Sequence, residues 1–121
     1  RFDTVSKTFE SYKVPPVGDG EYETPYALNV NRKTGDVWMA ANNSDRVLRF
    51  TPASKTFQSY PSPTRVTVLR DFAFTEDGRV CASSSNLPAY AIEDQRPSII
   101  CIDPDGADKD RKMVAAGQAK G

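Results

Sequence analysis

Apolar and polar residues alternate in short runs along most of the chain, and the runs are separated by turn-forming residues. Residues 26–31 (YALNVN) set Leu28 and Val30 on one face of an extended strand. Residues 32–36 (RKTGD) form a turn in which Gly35 can take a positive φ, and residues 37–41 (VWMAA) return. A second tight turn at 42–45 (NNSD) leads into strands at 47–51 (VLRFT) and 56–60 (TFQSY). The period is two rather than 3.6, so the pattern predicts antiparallel strands and no helices. Further on, residues 71–75 (DFAFT), a turn at Asp77-Gly78, and residues 79–83 (RVCAS), 98–103 (SIICID) and 111–115 (RKMVA) repeat the same order of strands. Between the second and third of these lies an insert, residues 84–97, which reads either as a tolerated surface loop or as a binding rim.

The pattern is also an internal repeat. RFDTVSKTFESYKVPP at 1–16 returns as RFTPASKTFQSYPSPT at 49–64, with a constant offset of 48 residues and 9 of 16 positions identical. Repeats of this length made of short strands indicate propeller blades. The expected fold class is therefore all-β: a β-propeller fragment with two four-stranded antiparallel blades, residues 24–61 and 66–116. The outer half of a third blade precedes them at residues 1–14, and residues 117–121 form a tail. Propellers close with about four to eight blades. The expected partners are accordingly the remaining propeller blades or further copies of the chain.

Composition narrows the function classes. Sixteen basic and sixteen acidic residues cancel in the 121-residue chain, so no single-sign field points to nucleic acid. No apolar run is long enough for a membrane-spanning helix. Histidine is absent, which removes Ser–His and Cys–His nucleophilic systems and histidine-containing zinc sites from this chain.

The string at 25–63, PYALNVNRKTGDVWMAANNSDRVLRFTPASKTFQSYPSP, resembles a blade of the virginiamycin B lyase (streptogramin lyase) family. The resemblance rests on Pro25, Ala27, Leu28, Val30, Gly35, Val37, Trp38, Arg49, Phe50, Pro52, Thr56, Phe57, Tyr60 and Pro63, and it extends more diffusely to about Asp103. The pattern shades into gluconolactonase-like and NHL-repeat propellers. What the resemblance implies is a seven-bladed propeller with carbon–oxygen lyase activity, which opens a cyclic depsipeptide ester with a divalent metal such as Mg and a histidine base. The family's histidine falls at Tyr26 and Arg70 in the two blades, and its metal-binding glutamate at Ala41 and Ser84. Alanine cannot bind a metal, and neither a phenol nor a guanidinium serves as a base near neutral pH. No catalytic or metal-ligating residue and no cofactor are therefore expected in this chain. Two readings follow, a non-catalytic ligand- or protein-binding module and a part of a metal-dependent lyase whose catalytic blades lie outside the chain. A lactonase-like hydrolase is a third.

The resemblance also puts Tyr26 and Arg70 at the mouth of the propeller channel. With the turn residues Asn42 and Asn43 they form the candidate ligand-binding set, and each also has a structural role open to it. Aligning the blades sets Cys81 opposite Cys101 on adjacent strands, as Trp38 stands opposite Arg49. Such neighbours have Cβ atoms about 4.5–5.5 Å apart, slightly wider than an ideal bridge. A disulfide, implying an oxidising periplasmic or extracellular setting, and two buried thiols both remain open. Trp38 is expected to pack between blades. Residues 103–108 (DPDGAD) lack the later glutamate of a calcium loop and read as a β-turn. Asn42-Asn43-Ser44 matches a glycosylation acceptor that turn chemistry explains equally well.

Overall fold

The computed structural model describes residues 1–65, 67–84 and 98–106. Strands β1 (Pro25–Val30), β2 (Val37–Ala41), β3 (Arg46–Thr51) and β4 (Thr56–Pro61) form one antiparallel sheet in the order β1-β2-β3-β4. Strands β5 (Leu69–Phe74), β6 (Val80–Ser84) and β7 (Ser98–Ile102) form a second, in the order β5-β6-β7. The fourth strand expected at 111–115 and nearly all of the 84–97 insert lie outside the described residues.

Turn chemistry sets the register. Gly35 and Gly78 take φ of 79° and 91° at the matching first turns of the two sheets, a region that favours glycine because it has no Cβ. In the first sheet Val37 faces Phe50, Trp38 faces Arg49 and Met39 faces Leu48. In the second, Val80 faces Ile102, Cys81 faces Cys101 and Ala82 faces Ile100. Each opening strand bulges at the corresponding place, between Pro25 and Leu28 and between Leu69 and Phe72.

The 48-residue repeat is structural as well as textual. Lys7 and Lys55 both take φ of 57°. Ser6 meets Thr8 at 2.7 Å just as Ser54 meets Thr56 at 2.7 Å. Phe2 bridges Phe9 as Phe50 pairs with Phe57. Residues 1–10 thus form a hairpin equivalent to β3–β4.

Strand alternation gives the first sheet two apolar faces. One carries Trp38, Ala40, Val47 and Tyr60 against Leu69, Phe72, Val80, Ala82 and Ile100 of the second sheet. The other carries Met39, Ala41, Leu48 and Phe50 against Tyr12 and Val14 of the N-terminal segment. Trp38 is 2% exposed and lies in the core between the sheets. Strand β1 lies beside β5, and the Asn29 amide donates to the Phe72 carbonyl at 2.8 Å. Stacked meanders with neighbouring first strands are consistent with successive propeller blades, and the described strands do not close a ring.

One sequence expectation is corrected. Residues 104–106 form a helical turn rather than part of a β-turn. Asp103 Oδ1 accepts from the Gly106 amide at 3.0 Å, and Pro104 takes the first helical position, where its missing N–H costs nothing. Residues 107 and 108 lie outside the described part.

Candidate functional site

Two adjacent first strands start at the same end of the stack, and their second residues meet there. Arg70 Nη1 donates to the Tyr26 hydroxyl at 2.8 Å, and the guanidinium carbon sits 5.5 Å from the Tyr26 ring centre. Tyr26 is 59% exposed and Arg70 is exposed as well, so the pair presents an aromatic face and a cation to solvent. Residues 44 apart in sequence meet because the two sheets stack with their first strands in parallel registry.

The β2–β3 turn holds this end together. Asn42 Oδ1 accepts from the Leu69 amide at 3.1 Å, and its Nδ2 donates to the Leu69 carbonyl at 3.5 Å. The Asn43 amide donates to Glu23 Oε1 at 3.2 Å, and its Nδ2 donates to Thr24 Oγ1 at 3.2 Å. Asp45 Oδ1 accepts from the Thr67 amide at 2.6 Å and from its hydroxyl at 3.0 Å. Asn42 and Asn43 therefore anchor the residues just before Arg70 and Tyr26, and these contacts tie the two first strands to one turn.

Glu23 is the residue the sequence reading missed. Its side chain is fully buried and accepts from the Ser44 hydroxyl and from Arg46 Nη2, the latter at 3.4 Å. Arg46 Nη2 also donates to the Pro15 carbonyl at 2.8 Å. These bonds fix the linker that delivers Pro25 and Tyr26 to the sheet. The available signal was a serine and an arginine flanking the turn at 44 and 46, two donors that a carboxylate could bridge.

The positions that the resemblance assigns to lyase chemistry gather at the same end. Ala41 pairs with Pro25, and Ser84 pairs with Leu69. Together the four positions offer a methyl group, a hydroxyl, a phenol and a guanidinium. That donor set does not suit a divalent cation, which takes carboxylates, carbonyls or imidazoles. No group of three or more His, Cys, Asp or Glu residues able to hold a metal occurs among the described residues.

A second polar constellation lies between β2 and β3. Arg49 donates to Asp36 Oδ2 through Nε at 2.9 Å and Nη2 at 2.7 Å, and Thr51 Oγ1 donates to Asp36 Oδ1 at 2.9 Å. The same guanidinium lies 5.7 Å from the centre of the Trp38 ring. Burial pushes the Asp36 carboxyl up, but the donors from Arg49, Thr51 and Thr34 and the Arg49 charge outweigh it, holding the group below the ordinary carboxylate range. In the second sheet the Trp38 and Arg49 positions become Cys81 and Cys101. These two are joined by a disulfide, with Cα atoms 4.0 Å apart.

No protein-family model matches the chain, and no curated protein matches it. Among solved structures, it is similar to selenomethionine-substituted virginiamycin B lyase from Staphylococcus aureus, with a TM-score of 0.44 and 17% sequence identity over 69% of this chain. The match spans 29% of the length of that enzyme. No helix among the described residues is long and apolar enough to cross a membrane.

Proposed function

We propose that the chain is part of a β-propeller-like binding module without chemistry of its own, and that the Tyr26–Arg70 end is where a ligand is held. The observation that carries this reading is the Arg70 to Tyr26 hydrogen bond between first strands of adjacent sheets, on an exposed edge. A guanidinium against a phenol ring suits a ligand that combines a planar apolar group with a carboxylate. Asn42 and Asn43 take part by holding the two strands at the spacing the pair needs. The disulfide fits a protein that works in an oxidising compartment, periplasmic or extracellular.

The competing reading is a contribution to a virginiamycin B-type lyase. Tyr26, Ala41, Arg70 and Ser84 supply neither a base nor a metal ligand for it. Turnover by the chain itself tests the claim that it has no chemistry of its own. Incubated with virginiamycin B and magnesium, the chain is expected to leave the antibiotic ring intact by reversed-phase chromatography. Magnesium-dependent ring opening would refute the binding-module reading.

A further inference from the structure

The first sheet has an apolar groove of about 560 Å³ on the side away from the second sheet, and Leu28, Val30, Val37 and Met39 line it with Tyr12 at its margin. We propose that this groove docks a β-hairpin, two antiparallel strands whose facing side carries an aromatic residue and alanines, as β1–β2 do at Ala27, Trp38 and Ala40. The inference rests on reading the two sheets as successive blades.

The repeat identifies the occupant. Leu28, Val30 and Met39 correspond to Phe72, Phe74 and Ala82 of the second sheet by strand register. There Phe72 is 3% exposed, covered by the Trp38 and Ala40 face of the first sheet, whereas Leu28 is 62% exposed. Tyr12 stands 48 residues before Tyr60, and the pair play matching parts. Tyr60 packs on Trp38 with ring centres 5.3 Å apart, at the outer part of the interface between the sheets. Tyr12 packs on Phe50 at 4.5 Å, at the outer part of the grooved face. Tyr12 and Val14, which follow the hairpin of residues 1–10, therefore cover the outer part of this face as Tyr60 of β4 does toward the second sheet. The inner part, which β1–β2 covers there, is the groove.

Backbone pairing points to the same occupant. Phe50 pairs with Phe57 on one side of β3 and with Val37 on the other. Phe2 bridges Phe9 on one side and has no strand on the other among the described residues. An incoming strand can pair along that edge while its side chains fill the groove, so both halves of the interaction come from one hairpin.

The test uses a synthetic peptide of residues 24–48 titrated into the full chain with methyl-labelled leucine, valine and methionine. Saturable shifts of the Leu28, Val30 and Met39 methyl signals are expected. Leu28→Asp, at a position already exposed, should weaken binding by about tenfold or more while the circular dichroism spectrum stays unchanged. Absence of shifts at millimolar peptide, or equal affinity in the variant, overturns the proposal. In a second experiment the same residues are fused directly ahead of Arg1, which reproduces the Leu48-Arg49-Phe50 junction. Slowed amide exchange at Phe2 is expected, and unchanged exchange contradicts the proposal. Concentration-dependent dimerisation that moves the same methyl signals without peptide would assign the groove to a second copy and also overturn it. None of these readouts involves the Tyr26–Arg70 pair, so failure here is distinct from failure of ligand binding there.

Discussion

At the scale of single residues, two pairs across β2 and β3 explain much of the first sheet. Trp38 fills the space between the sheets and also underlies the Arg49 guanidinium. Trp38→Ala should cost roughly 3–5 kcal/mol in urea unfolding, the range for truncating a buried aromatic. Asp36 takes three side-chain bonds from Arg49 and Thr51 on the neighbouring strand, and its carboxyl is 5% exposed. Its depressed folded pKa makes its stabilisation complete above the unfolded carboxylate value and lost as pH falls through the folded one. Asp36→Asn should lower stability by about 2 kcal/mol at neutral pH and flatten part of the acid limb. Asp3, held low by the Ser6 and Val5 amides, Glu10, held low by Lys55, and Asp77, held low by the Thr75 hydroxyl, keep the rest of that limb. Urea midpoints from pH 7 downward check both variants. Trp38 was legible because a tryptophan amid Val37, Met39 and Ala40 in a strand has few other places to go. Glu23 was not, because a glutamate in a Pro- and Gly-rich linker looks solvated until Arg46 and Ser44 are seen to close over it.

At the scale of elements, the hairpin repeats with local variation. The cation–aromatic pair of Trp38 and Arg49 gives way at the same register to Cys81 and Cys101. One sheet is held there by a buried ion pair and ring stacking, the other by a covalent bond across a sequence separation of 20. Loop-closure entropy makes that bond worth about 3 kcal/mol. Reduction with dithiothreitol should lower the thermal midpoint, while a variant with Cys81→Ala and Cys101→Ala should show no further loss on reduction. Equal midpoints for oxidised and reduced chain would contradict the assignment. Strand register was readable because period-two alternation and the glycine turns at Gly35 and Gly78 leave one pairing that keeps apolar residues together. Residues 103–106 were not, since Asp-Pro-Asp-Gly satisfies both a β-turn and the start of a helical turn. Local sequence leaves that choice to tertiary context.

At the scale of the whole molecule, the two sheets share one core, and each presents a first strand at a common end. The meeting of Tyr26 and Arg70 follows from that stacking and not from proximity in sequence, so the resemblance singled out the two residues and only the fold joins them. The anchoring of Asn42 is equally a product of stacking, because its partner Leu69 lies on β5, whereas Asn43 binds Glu23 and Thr24 of the linker ahead of β1. The claim that most needs testing is that this end holds a ligand. Benzoate, which combines a planar ring with a carboxylate, is a minimal probe, and its titration can be followed at the Arg70 Nε–H and Tyr26 ring resonances. Saturable shifts of both signals are expected in the full chain, and in Arg70→Gln the Tyr26 ring signal is expected to stay in place, with the rest of the spectrum unchanged. Resonances that stay in place through millimolar benzoate in the full chain, or a Tyr26 ring signal that shifts equally in Arg70→Gln, would contradict ligand binding at this end.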